Sequence, residues 1–141
     1  MNIQTLSRDI SYSPVAAVAP MELFPSVVER VFDYLASIAS NDALYGPGEV
    51  RPSDTTVAWA QRVLLRVIPR YYLRTAEIDV FQGEIHVNWE KGNKRVVAFF
   101  TSPDVLKVYL EIIKEDGSVA HVLHTDVKAH ALSPYLTWLN L

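Results

Sequence analysis

The stretch AEIDVFQGEIHVNWEKGNKRVVAFF, residues 76–100, decides the fold because apolar and polar residues alternate through it with the period of β-strands. Gln82-Gly83 and Gly92-Asn93 each fit a two-residue hairpin turn. With both turns in place, one face of three strands carries the apolar pairs Val80–Ile85, Ile78–Val87, Trp89–Val96, Val87–Ala98 and Ile85–Phe100, and Glu90 faces Arg95 on the other side. A shared apolar face predicts an antiparallel sheet.

Two further turns extend this sheet to five strands. A three-residue turn at residues 102–104 keeps the apolar face by pairing Phe100–Leu106, Ala98–Val108 and Val96–Leu110. At residues 114–118, a three-residue loop with Gly117 in the left-handed region sends Ala120, Val122 and His124 inward and sets Glu111 opposite His121. A two-residue Asp-Gly turn would instead bury Val119, His121 and Leu123. We favour the three-residue loop.

Helices flank the predicted sheet on both sides in the sequence. The first has apolar residues at helical spacing from Pro25 to about Ser40-Asn41, and the second begins at Pro52-Ser53-Asp54 and is limited by Pro69. Their buried stripes are Val27, Val28, Val31, Phe32, Leu35 and Ile38, and then Val57, Ala60, Val63, Leu64, Val67 and Ile68. After Thr125-Asp126 we expect helical structure through residues 127–132, then a short helical piece from Ser133-Pro134 that carries Leu136, Trp138 and Leu139.

The predicted fold class is α+β: two N-terminal helices packed on a five-stranded antiparallel meander sheet, with a short C-terminal helical segment. Residues 1–22 are expected to form an irregular N-terminal arm, and residues 23–141 a single domain.

Composition excludes several classes of function. The 141 residues carry a net charge of −3 and no cysteine, which removes disulfides, cysteine zinc sites and thiol catalysis. No secretory signal pattern and no membrane-spanning apolar run occurs, so we expect a cytoplasmic protein without a membrane partner.

His86 is the first residue to consider for catalysis. The predicted pairing places it on the outward row with Glu84, Asn88 and Glu90, opposite Asp79. A histidine beside carboxylates can act as acid or base, so a small hydrolase or nuclease using His86 with Asp79 or Glu84 is one hypothesis. The stretch offers no serine, threonine or cysteine nucleophile, and polar residues belong on a solvated sheet face. We therefore predict no catalytic residue.

A metal site is the second possibility, with His121 and His124 as ligands and His86 or His130 as a third. Residues three apart on a strand point to opposite faces, so this pair cannot chelate one ion. We expect one buried, hydrogen-bonded histidine and one surface histidine, no metal, and no cofactor, since phosphate loops and nucleophile elbows are absent.

Arginines recur every four residues at Arg62, Arg66, Arg70 and Arg74, and no acid occurs between Thr55 and Ala76. Arg62 and Arg66 would share a helix face, which could contact phosphates or an acidic protein. The alternative is a solvated face that neutralises acids such as Glu29, Asp33 or Glu77.

The outward face of the third and fourth strands is apolar rather than polar. Its residues are Val97, Phe99, Val105, Tyr109 and Ile113. Exposed apolar patches of this kind mark contacts. The arm (residues 14–24), the C-terminal helix with Trp138, a second copy or a different protein could cover it.

Two segments carry a resemblance. NDALYGPGEVRPS, residues 41–53, resembles the N-W-D-x-Y-G-A…P-S segment of a loose group of small bacterial and phage proteins. GEIHVNW, residues 83–89, is similar to their later Gly-x-Ile-x-Leu-x-Trp strand. Here the tryptophan of the first motif is missing and Pro47 replaces its alanine. The resemblance spans about residues 41–113, implies the architecture, and carries no catalytic residues.

These observations together predict a non-enzymatic protein that acts by binding another protein, as an inhibitor, immunity, antitoxin or anti-defence factor, or as a homodimer. The expected partner-binding residues are Val97, Phe99, Tyr109 and Ile113, followed by Arg62, Arg66, Arg70 and Arg74. The alternative is a nucleic-acid-contacting protein that uses the four arginines.

Overall fold

The computed structural model describes residues 20–102 and 105–141, with residues 20–28 and 102 described by their backbone alone. The elements follow in the order α1 (Pro20–Ser40), a 3₁₀ turn (Asp42–Leu44), α2 (Asp54–Arg66), α3 (Arg70–Leu73), β1 (Glu77–Phe81), β2 (Glu84–Lys91), β3 (Lys94–Ser102), β4 (Val105–Ile113), β5 (Val119–Val127), a second 3₁₀ turn (Ala129–Ala131) and α4 (Leu132–Trp138). The predicted α+β class is confirmed.

The five strands form one antiparallel sheet in the order β1-β2-β3-β4-β5. Every predicted strand pair is present, including Ile78–Val87, Trp89–Val96 and Phe100–Leu106. The β3–β4 register shifts between Phe100 and Ser102, so Ser102 pairs with Val105 and belongs to β3, and the predicted three-residue turn is wrong at this residue. The rest of the predicted turn, residues 103–104, lies outside the described residues. Turn chemistry and alternation were therefore sufficient to fix the register.

The β4–β5 turn is the predicted three-residue loop. Lys114 N–H donates to the Ser118 carbonyl at 2.8 Å, Gly117 has a φ of +84°, and Glu111 faces His121. The Asp116 carboxylate accepts hydrogen bonds from the Ser118 hydroxyl and N–H at 2.6 and 2.9 Å, and these bonds hold the pKa of Asp116 below its usual value.

All helices contribute to one core on a single face of the sheet, here called the inner face. Trp59 of α2 packs edge-on against Phe100 with ring centroids 5.2 Å apart, and the Trp89 indole N–H donates to the Tyr72 carbonyl at 2.9 Å. Leu132 and Leu136 of α4 are fully buried in the same core. The opposite, outer face has no described helix on it. No described helix is long and apolar enough to cross a membrane.

The N-terminal helix begins at Pro20 rather than at Pro25, and Phe32, which was predicted in its buried stripe, is instead 50% exposed. Proline is tolerated at a first helical position, because its missing N–H has no intrahelical acceptor there. The apolar periodicity starts only at Val27, so it carries no signal for this first part of the helix. The predicted irregular arm, residues 1–22, is therefore wrong at residues 20–22, which belong to α1, and residues 1–19 lie outside the described residues.

The segment between α1 and α2, residues 41–53, is held by hydrogen bonds to the end of α1. The Tyr45 hydroxyl donates to the Ile38 carbonyl at 2.6 Å, and Arg51 donates to the Ala39 carbonyl at 3.1 Å while also pairing with Asp42. These bonds satisfy carbonyls that a helix C-terminus leaves without partners. Burial, and then the Glu49 charge, raise the pKa of Tyr45.

The C-terminal segment differs from the predicted one at its start. β5 continues to Val127, which pairs with Leu106 across a register shift, and Asp126 has a φ of +56°. The predicted helical structure over residues 127–132 is therefore wrong at its beginning and is reduced to the 3₁₀ turn. Val127 is drawn into the strand because its side chain is buried there. The second predicted piece corresponds to α4.

Candidate functional site

The five predicted apolar residues do lie on the outer face, where we call them the outer patch: Val97, Phe99, Val105, Tyr109 and Ile113. Val97 is 9% exposed yet lies apart from the main core, and Ile113 is 46% exposed. Phe99 and Tyr109 at the centre are half-buried. Their placement confirms the prediction that these side chains point away from the helices.

Neither intrachain cover proposed from the sequence lies over the outer patch in the described residues. Trp138 of α4 is on the inner side, where it lines a cleft with Leu110 and Val122. That alternative is therefore wrong, because Leu132 and Leu136 anchor α4 in the inner core. Residues 14–19 of the arm lie outside the described residues, and residues 20–24 belong to α1.

His86 packs against one side of the outer patch. Its ring meets the Phe99 ring edge-on at 4.6 Å, and its Nε2 lies 2.9 Å from Glu84 Oε1. Asp79 is opposite His86 in the strand register, but its carboxylate accepts a hydrogen bond from the Val80 N–H instead. The geometry gives His86 a packing and hydrogen-bonding role beside Phe99.

A polar cluster formed by Tyr109, Glu111 and Arg95 borders the outer patch on β3 and β4. The Tyr109 hydroxyl donates to Glu111 Oε2 at 2.7 Å, and Arg95 donates to the same oxygen at 3.3 Å. The hydrogen bond to Glu111, then burial, raise the pKa of Tyr109, while Arg95 opposes the shift. The cluster fixes the Tyr109 ring in one orientation on the outer face.

The outer face of β1 and β2 forms an acidic margin to the patch. Its carboxylates are those of Glu77, Asp79, Glu84 and Glu90. Of these, Glu84 is paired with His86, and Glu77, Asp79 and Glu90 are exposed. An apolar centre with an acidic margin is electrostatically matched to a surface that carries basic groups.

The arginines are distributed over two helices. Arg62 and Arg66 lie on α2, Arg70 begins α3, and Arg74 is the half-buried C-terminal cap residue of α3. Arg62, Arg66 and Arg70 are exposed, and none of them has a carboxylate of the described residues within ion-pairing distance. The suggested neutralisation of Glu29, Asp33 or Glu77 by these three is therefore not present.

The two histidines of β5 point to opposite faces, as predicted. His121 lies beside Tyr109 on the outer face, with ring centroids 5.8 Å apart, and His124 lies beside Tyr135 of α4 at 5.4 Å. Among residues 20–102 and 105–141, no three metal-binding side chains gather at one point.

Sequence reasoning missed two clefts. One, of about 280 Å³, is apolar and lies between the inner face of β4–β5 and Trp138. The other, of about 170 Å³, lies beside Tyr72 and Asn140, which hydrogen-bond each other at 2.6 Å. Both form between residues far apart in the sequence. The sequence signal for the first was limited to the inward direction predicted for Ala120 and Val122, and it did not place Trp138 beside them.

The fold and site together define a class: a single helical layer over one face of a five-stranded antiparallel meander whose outer face carries an apolar patch. Comparisons with protein-family models, curated proteins and solved structures found no significant match. The resemblance of residues 41–113 to the bacterial and phage group remains an expectation.

Proposed function

We propose that this protein works without catalysis, by binding another protein through the outer patch. The observation that carries the proposal is an outer face on which no described helix lies: Phe99 and Tyr109 are at its centre, oriented by His86 and by the Glu111–Arg95 pair. Aromatic residues held in one orientation and surrounded by polar groups are the usual energetic centre of a protein interface.

The charge of the face indicates the kind of partner. Glu77, Asp79 and Glu90 are exposed along β1 and β2, so a partner with basic residues around an apolar contact would be favoured. Inhibitors, immunity proteins, antitoxins and anti-defence proteins bind their targets in this stoichiometric way. Binding is then expected to weaken as the salt concentration rises, because exposed charges are screened.

The test is affinity capture from the source organism with matched variants. Phe99→Asp places a charge in the patch, and Phe32→Asp makes the same change on α1, where Phe32 is 50% exposed. A protein retained by the wild type and Phe32→Asp but lost with Phe99→Asp supports the proposal, and one retained equally by all three overturns it. Ile113→Asp is a second patch variant should Phe99→Asp lower the melting temperature.

A nucleic-acid-contacting function is the second candidate, favoured by the three exposed arginines without carboxylate partners. The same capture experiment distinguishes it by adding a double variant, Arg62→Glu with Arg66→Glu. Loss of the captured material with this variant and after nuclease treatment, but not with Phe99→Asp, would favour nucleic acid.

A further inference from the structure

The last strand of the sheet is a long edge on which no other described element lies, and its register shift and Asp126 come only near its end. β5 has nine residues, contains no proline or lysine, and forms one border of the sheet. Val119, Val122 and Leu123 are 50, 45 and 52% exposed. Proteins normally shield such edges with lysine, proline, short strands or covering elements, because the unpaired backbone groups accept another strand.

The hydrogen bonds at the β4–β5 turn show which backbone groups face the free edge. Ile113 N–H donates to Asn93 at 2.9 Å, so Ile113 is directed towards β3, and Lys114 N–H donates to Ser118, so Lys114 is directed towards β5. Backbone groups alternate along an antiparallel ladder. Val119, which pairs with Ile113, therefore directs its N–H and C=O to the free edge, as do His121 and Leu123.

The opposite border of the sheet is treated differently. β1 has only five residues and includes Glu77 and Asp79. Its Val80 N–H is occupied by the Asp79 carboxylate at 2.8 Å, and the Tyr34 hydroxyl donates to the Ile78 carbonyl at 3.4 Å. In the described part of the chain, no side chain makes such a hydrogen bond to the backbone of Val119, His121 or Leu123.

We propose that β5 pairs antiparallel with β5 of a second copy of this chain, joining two sheets into one. Antiparallel pairing of identical strands has two-fold symmetry, so every edge N–H and C=O finds its counterpart on the same strand of the other copy. No lysine, arginine or carboxylate occurs between Val119 and Thr125, so the identical strands meet without repulsion between formal charges. Pairing would also cover apolar side chains on both faces: Val119 and Leu123 on the outer side, Val122 on the inner side.

The test compares two substitutions at one position. Leu123→Pro removes an edge N–H that has no bond within the chain, and proline is tolerated where that N–H faces away from the sheet. Leu123→Ala shortens the side chain but keeps the N–H. By symmetry the proline variant loses two intermolecular hydrogen bonds, which predicts a dimer dissociation constant roughly 30-fold higher than that of Leu123→Ala.

Light scattering over a concentration series should show a wild-type dimer that Leu123→Pro converts to a monomer and Leu123→Ala largely preserves. Hydrogen exchange of the wild type gives a second readout that needs no variant: the amides of Val119, His121 and Leu123 should become protected as concentration rises. A wild-type monomer at all concentrations, equal effects of both substitutions, or concentration-independent exchange would each overturn the proposal. Phe99→Asp does not change the β5 edge. Its effect on partner capture therefore tests the proposed function independently of the β5 pairing.

Discussion

The contact between the loop before α2 and the β1–β2 turn can be tested by adding a single methyl group, the Cβ of an alanine at position 83. Gly83 lies in the β1–β2 turn with a φ of +81°, and a Cβ there would lie 3.1 Å from Val50 Cγ1. Gly117 has nearly the same φ, +84°, but nothing lies within 4 Å of its Cβ position. Alanine at either site has the same conformational penalty, and only at Gly83 does it also displace a neighbour.

The magnitudes follow from these two terms. The left-handed conformation costs an L-residue about 1 kcal/mol, so Gly117→Ala should lower the free energy of unfolding by about that amount. Val50 is 55% exposed and can move, which limits the steric cost at Gly83 to about a further 1 kcal/mol. We therefore expect Gly83→Ala to cost about 2 kcal/mol in total.

Urea unfolding followed by the fluorescence of the buried Trp59 and Trp89 measures both costs, provided that the slope m stays constant. A double-mutant cycle separates the terms: in a Val50→Ala background, Gly83→Ala should cost no more than Gly117→Ala does in the wild type. Equal costs of Gly83→Ala and Gly117→Ala in the wild type would refute the contact between the loop and the turn.

Two further predictions concern hydrogen bonds. Ser53 Oγ accepts the Thr56 N–H at 3.1 Å as the N-cap of α2, so Ser53→Ala should cost about 1 kcal/mol in urea unfolding and Ser53→Asp much less; equal stability of the two variants would contradict the cap. Glu111→Gln should lower the pKa of Tyr109 towards 10.0, observed as an earlier rise of tyrosinate absorbance on alkaline titration, with Tyr109→Phe identifying the signal. Because this pKa is raised in the folded state, the associated stability is present below the ordinary tyrosine pKa and is lost as the pH rises through the pKa of the folded state. A tyrosinate titration that is the same in Glu111→Gln and in the wild type would contradict the role of Glu111.

The sheet was predictable because its information is local. Each turn has residues that accept positive φ or a tight loop, and each strand alternates, so the register of Trp89 with Val96 and of Phe100 with Leu106 followed without tertiary knowledge. Two element ends were not predictable from the sequence. The start of α1 at Pro20 lacks a periodic signal, and the end of β5 at Val127 depends on burial against residues distant in the sequence.

The candidate site was predictable in composition but not in its surroundings. Alternation alone placed Phe99 and Tyr109 on the outer face. It could not show which helices lie on which face, and so it left Trp138 as a cover for a surface that α4 does not reach. It also could not show that Asp79, opposite His86, accepts a hydrogen bond from the Val80 N–H, while Glu84 forms the hydrogen bond with His86. Those choices depend on side-chain conformations that register does not determine.

The two proposed interfaces are compatible, and their geometry links them. The edge-directed residues Val119, His121 and Leu123 all have side chains on the outer face, so pairing them with the same residues of a second copy keeps both outer faces on one side of the joined sheet. Two copies of Phe99 and Tyr109 would then face the same direction. A target with two matching surfaces would bind such a dimer more tightly than a monomer without any new contact, through the higher effective concentration of the second site. Leu123→Pro should then weaken binding to a bivalent target while leaving the affinity for a monovalent one unchanged, whereas Phe99→Asp should weaken both.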